Sequence, residues 1–416
     1  MQSERSASMA EPKYHAVFSH PLDTRPLVAR IQGEHLCFHQ TSDQMGWEIY
    51  GSPDLIRWRK KTDRMEARTP QRLWSGAAFE HEGQAHVLGV SIQHQRSVVS
   101  LHVRQPDGHW NLLSSPSFLW VARSPAPTLI TGPCIYTEWD QIYCLMTAVF
   151  PSGRVAFVAY RMHTPDHWVS TGELYVLPEQ DTQDLHYNPC LLEVDGVHVL
   201  LYHSPGTRTT YALLGSFREG RFLWEHSQVL QVGEPLRQPV VVSSRGQQML
   251  QGWMASLEGH LTLSLPARLE VQEGTLQVLP AVYPGYLDRY ASYENAPIHH
   301  QPTVFLLLKQ AYLLRMQLPE DGGMVRVRLH CTSPAESGVL VEFDLQQQEV
   351  RVNQHRGPLA GRDVWFFVDG RWIEVFSGTQ VMVVDVGQVG AGSFVSLEKP
   401  SGKEMAQFSL YEYRNV

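Results

Sequence analysis

Charge is scarce in this sequence. Asp, Glu, Lys and Arg make up only 18% of its 416 residues, against 43% hydrophobic residues. That balance excludes a coiled coil, which needs many more charges, and a disordered chain, which cannot hold so much apolar surface. Lys and Arg (34) are outnumbered by Asp and Glu (42) and form no basic run, so there is no footprint for nucleic acid or an anionic membrane surface. No run of about 18 apolar residues occurs, which excludes a membrane-spanning helix. Cysteines number only five, at positions 37, 134, 144, 190 and 331. They are odd in number, widely spaced and without CxxC or zinc spacing, which argues against a disulfide framework or a metal site. Each sits in an apolar, strand-like run, where a buried free thiol is expected. Residues 1–14 are polar and show no apolar signal core. The expectation is a cytoplasmic protein with no metal or organic cofactor.

Helical periodicity is almost absent as well. Short β-rich runs broken by turn pairs take its place, as in CLLEV-DG-VHVLL at 190–201, where Asp-Gly between two such runs signals a hairpin. The pattern recurs. Hairpin turns fall at Gly33, Gly83, Asp140, Gly196 and Gly246, spaced by 50, 57, 56 and 50 residues. Trp58, Trp110, Trp168 and Trp224 each follow their turn by 25 to 28 residues. Five units of four strands predict a five-bladed β-propeller, and four tryptophans in phase argue against a large sandwich with chance spacing. About ten further strand-like runs lie between 304 and 413, several alternating apolar and polar residues, and these predict a C-terminal β-sandwich. The expected division is a propeller at 15–285, a Tyr-, Pro- and His-rich linker at 286–302 and a sandwich at 303–416.

In a propeller, the residues just before each blade's first strand face one another around a funnel. Here they are 21–25, 74–76, 131–133, 186–189 and 236–239. With 20 His, 11 Trp and 16 Tyr, the chain is rich in aromatics with polar tips, which suit a ligand that has apolar faces and hydroxyl edges, such as a sugar. The candidate ligand-binding residues are His20, Arg25, Trp74, Ser75, Thr131, His186, Asn188, Arg237 and Gln238.

These stretches resemble glycoside hydrolase family 32, the invertases, levanases and inulinases, over nearly the whole chain. WEIYGSPDLIRW at 47–58 is similar to the family's W-G-x-A-x-S-x-D-L-x-x-W, and WSGAA at 74–78 to its F-S-G-S-A. GSF at 215–217, GWM at 252–254 and LPAR at 265–268 resemble the G-x-F, G-W-M and L-P-R-E landmarks. FFVDGRWIEVF at 366–376 is similar to the I-F-V-D-x-S-x-I-E-V-F strand pair. The resemblance implies five blades plus a sandwich, and retaining cleavage of a β-fructofuranosidic bond. In that reaction one Asp is the nucleophile, a Glu is the acid and a second Asp binds ring hydroxyls, the two reacting carboxyls being about 5 Å apart.

The catalytic motifs depart from the family. Asp23 takes the nucleophile position of N-D-P-N-G only if one residue is deleted nearby; otherwise Thr24 does. Gly132 replaces the Asp of R-D-P, and Tyr187 replaces the Glu of E-C-P. Asp184 lies close enough in sequence to be a relocated acid, whereas Glu138 belongs to a hairpin at the far end of its blade. The resemblance therefore implies a sugar-binding protein, monomer or homodimer, with hydrolysis impaired or lost. One alternative is an active retaining β-fructofuranosidase using Asp23 and a relocated acid. Another is different acid–base chemistry from His20 and His186 in the same funnel.

Overall fold

Hairpin turns set the blade geometry. Gln32 and Gly33 have φ of 51° and 80°, and Asp195 and Gly196 have 50° and 81°. Two successive positive φ angles are the signature of the tight hairpin turn whose twist matches that of the flanking strands. In the computed structural model, the residues described are 16–18, 27–40, 46–66, 73–94, 96–122, 124–178, 187–204, 206–207, 209–233, 237–244, 246–255, 261–281, 287–307, 311–320, 322–331, 338–387, 394–400 and 406–413. Among these there are strands and turns and no helix.

Five blades form a five-bladed β-propeller. Their innermost strands are Leu27–Ile31, Leu73–His81, Leu129–Glu138, Cys190–Val194 and Arg237–Ser244, each paired antiparallel with the next strand of its blade. Each inner strand packs on the next, and the fifth packs back on the first, closing the ring. The amino-terminal strand Ala16–Phe18 pairs with Leu261–Leu263 of the fifth blade.

Apolar side chains fill the seams between blades. Trp110 meets Phe38 edge-on at 5.4 Å between the first and second blades, and Trp168 meets Phe79 edge-on at 5.7 Å between the second and third. Both indoles are buried. Trp58 donates its Nε1–H to the Leu55 carbonyl at 3.1 Å, whereas Trp224 is half exposed and lies edge-on to Tyr175. Within 47–58, the Asp54 carboxylate accepts from the Ile56 and Arg57 amides at 3.1 and 2.8 Å, so this motif builds a turn.

Away from the channel mouth, three carboxylates latch neighbouring blades. Glu80 accepts from the Gln32 amide, Glu138 from the Glu219 amide at 3.2 Å, and Asp195 from the Val271 amide at 2.8 Å. Glu138 thus sits at the far end of its blade, as its place in the hairpin suggested.

Two stacked sheets form the carboxy-terminal sandwich around a core that includes Leu314, Val327, Val341, Phe366 and Val375. The stretch expected as linker is corrected by the structure. Residues Leu287–Ile298 form a strand that pairs antiparallel with Ala406–Tyr413 and belongs to a sandwich sheet. Its Tyr and Pro, with the two histidines that follow it, disguised it, although Tyr293 packs on Phe305 at 4.5 Å. The strand His355–Pro358 was also not foreseen. The same sandwich sheet continues into the propeller: Gln231–Gly233 of the fourth blade's outer strand pair in parallel with Val381–Val383.

Candidate ligand site in the propeller channel

The inner strands enclose a channel with a cavity of about 600 Å³, lined by 27–30, 76–80, 133–137, 188–193 and 239–243 together with Gln248. Every blade contributes to this wall, which is the geometric basis for expecting a ligand here.

Three consecutive blades meet at the mouth. The Gly132 amide donates to Ser75 Oγ at 3.1 Å, and Asn188 stands directly against Gly132 on the other side. Gly132 has φ +62°, and a Cβ built on it would lie 2.6 Å from Asn188 Oδ1 and 3.1 Å from Asn188 Cα. Real Cβ atoms essentially never come as close as the first of these, and the backbone conformation is itself one that favours glycine. A register shift between Thr131 and Cys134 marks a bulge here, the usual way a strand edge re-aims a side chain beside a site. Asn188 also has positive φ, 38°, and lines the cavity.

The candidate residues therefore divide. Ser75, Asn188 and the Thr131–Gly132 peptide come together, although Ser75 and Thr131 are buried rather than open to the cavity. Tyr187 is corrected. It was expected at the acid position facing the funnel, but its side chain is fully buried in the seam between the third and fourth blades. There it packs edge-on to Phe157 at 6.4 Å, beside Leu145, Leu191 and Tyr202. A phenol prefers this apolar seam, which buries most of its ring. His20, Asp23, Arg25, Asp184 and His186 lie outside the described residues, as do the side chains of Trp74, Arg237 and Gln238.

Channel residues not singled out from sequence are Arg30, Glu80, Tyr136 and Glu193 towards the far end, and Cys134 and Cys190 nearer the mouth. A charged residue closing an otherwise apolar inner strand, as in VAR at 28–30, AAFE at 77–80 and LLE at 191–193, was the available signal. Burial pushes the Tyr136 phenol up to about 12, with the Glu193 and Glu138 carboxylates adding to the shift, so Tyr136 is a neutral hydrogen-bonding group near neutral pH. Among the described residues, no group of three or more His, Cys, Asp or Glu is placed to hold a metal ion.

No protein-family model matches the sequence, and no curated protein does. Solved structures do. A Bombyx mori family 32 β-fructofuranosidase superposes with a TM-score of 0.77 at 16% identity, covering 97% of this chain and 94% of that one. Exo-inulinase from Aspergillus awamori gives 0.77 at 13% identity, covering 98% and 99%. A fructofuranosidase from Schwanniomyces occidentalis, solved with fructose, gives 0.77 at 11% identity and covers 100% of both chains. The chain has the glycoside hydrolase family 32 fold. Low identity over full coverage means that the family 32 framework of five blades and a sandwich is kept while most side chains differ. The fold and the motif resemblance thus agree, and chemistry has to be argued from the channel itself.

Proposed function

We propose that this protein binds a fructoside or a related sugar at the propeller mouth, with β-fructofuranosidase hydrolysis impaired or lost. The observation that carries this reading is the contact between Gly132 and Asn188. Where the family resemblance calls for a hydroxyl-binding Asp, a side chain would collide with Asn188 unless Asn188 moved. Two further features support it. Tyr187, at the position of the acid, is enclosed in an apolar seam away from the cavity. Glu138, a nearby carboxylate in sequence, is engaged with the Glu219 amide at the far end.

Retaining cleavage needs an ionised nucleophile and a protonated acid about 5 Å apart. Losing a positioned acid costs about 10² to 10⁴ in rate, and losing charge-stabilising contacts costs roughly a further 10² to 10³. Asn188, with Arg25, Trp74, Arg237 and Gln238, would supply hydroxyl-binding and ring-stacking groups, and His20 and His186 would stand at the rim. Neighbours of this fold have been solved with sucrose and with fructosyl-erythritol bound, which supports a sugar as the class of ligand.

The test pairs two measurements on the purified chain. Calorimetric titration with fructose, sucrose and short fructans is expected to show binding, and incubation with sucrose, inulin, levan and a chromogenic fructoside is expected to show no turnover above background. Turnover that vanishes in Asp23→Asn would overturn the loss of hydrolysis. Absence of heat with every sugar at millimolar concentration would overturn the binding function.

A further inference from the structure

Cys134 and Cys190 occupy equivalent places on neighbouring blades. Each follows a proline in the first strand, in TGPC at 131–134 and YNPC at 187–190, one repeat period apart. The residue before each proline has positive φ, and the strands press together at Gly132 and Asn188, two residues before the thiols. A bulge lies between Thr131 and Cys134, immediately before the first thiol. Cys134 packs against the apolar cluster that contains Cys190, and both line the cavity, Cys134 being the less buried. The other three cysteines are buried, and none lines the cavity.

We propose that Cys134 and Cys190 form a reactive dithiol in the channel wall, which small organic disulfides convert to an internal disulfide bridging the third and fourth blades. The neighbouring Cys190 thiol and the Leu191 amide favour the Cys134 thiolate and set its pKa below that of an ordinary thiol, while the Cys134 side chain and burial push the Cys190 thiol up. Cys134 is thus the nucleophile. Its thiolate attacks one sulfur of RSSR, the RS–SR bond breaks, a Cys134–SR bond forms and RS⁻ leaves. Cys190 then gives up its proton and attacks the Cys134 sulfur. The Cys134–SR bond breaks, the Cys134–Cys190 bond forms, and the second RS⁻ departs with that proton as RSH. The cysteines lose two electrons and the small disulfide gains them. This inference rests on the channel wall alone and does not depend on sugar binding.

The experiment treats the native full-length chain with bis(2-hydroxyethyl) disulfide, quenches with N-ethylmaleimide and maps peptides without reduction. The expected result is a peptide pair linked through Cys134 and Cys190, reversible by dithiothreitol, with Cys37, Cys144 and Cys331 alkylated only after unfolding. In Cys190→Ser the reaction is expected to stop at a mixed disulfide on Cys134, and in Cys134→Ser modification at position 190 should be largely lost. Two outcomes would overturn the proposal: both thiols still free after prolonged exposure of the wild type, or a linkage between other cysteines, such as Cys134 with Cys144. The wild-type map decides the question even if a variant fails to fold.

Discussion

The Glu374 carboxylate of the sandwich accepts a hydrogen bond from the backbone amide of Leu265 in the propeller, 3.0 Å away and 109 residues distant in sequence. Glu374 is almost wholly buried, and Leu265 packs with Ala311, Leu313 and Tyr413. Two motifs that resemble family 32 landmarks therefore meet at the joint between the domains, where they hold the two parts together rather than touch the channel. Glu374→Ala leaves a buried amide without this charged acceptor and is expected to destabilise the protein by about 1.5–3 kcal/mol. Chemical denaturation checks this, and Glu374→Gln, which keeps an acceptor oxygen, should lose less.

Gly132→Ala is expected to destabilise the chain by about 1–3 kcal/mol, because its Cβ collides with Asn188 in a backbone conformation that disfavours side chains. Asn188→Ala removes Oδ1 but leaves the backbone of residue 188 in the way, so the double variant should recover only part of the loss. A double-mutant cycle by thermal denaturation measures that coupling. Strictly additive losses would mean that the two residues do not press on each other.

Trp74, proposed as a sugar-stacking ring, and Tyr187, packed in a seam, should respond differently to substitution. Trp74→Ala is expected to weaken sugar binding by about 1 kcal/mol through loss of a stacking face. Tyr187→Phe should leave affinity unchanged, whereas Tyr187→Ala should cost about 3–5 kcal/mol of stability because a buried aromatic is removed. Calorimetry with the sugar that binds best, together with melting curves, distinguishes the two roles.

Acidification should act on the buried histidines. Burial lowers His102 and His330 from 6.5 to about 4, so both are neutral in the folded chain at neutral pH. The unfolded chain takes up these protons first. The stability they contribute is complete above about pH 6.5 and is lost as pH falls towards 4, by about 1.4 kcal/mol per unit for each group. Melting temperature followed from pH 7 to 4 should therefore fall, and His102→Gln should flatten the slope.

Much of the architecture was legible because blades repeat. A turn with two positive φ angles asks for glycine at nearly fixed intervals, and Trp110 and Trp168 fall in phase because each fills the same place in successive seams. The strand Leu287–Ile298 was missed because it adds to the sandwich sheet beside Ala406–Tyr413, a partner more than a hundred residues away that no local pattern announces.

The candidate site was less legible. Position 132 could be read as glycine, but not as a place where Asn188 from the next blade presses against it. Tyr187 stands one residue before channel-lining Asn188, whose φ of 38° breaks the extended backbone, so sequence alternation did not say which side Tyr187 would take. Which side faced the axis depended on the bulges and positive φ angles around the prolines.

The order and spacing of turns, aromatics and apolar runs by themselves determined five blades followed by a sandwich, since each blade is built from contacts close along the chain. Tertiary structure alone decided how the channel is built: a crowded glycine at its mouth, a tyrosine turned away into a seam and two thiols on neighbouring strands of its wall. Those features arise where separate blades press together, and the distance between strands of different blades is set by packing around the whole ring.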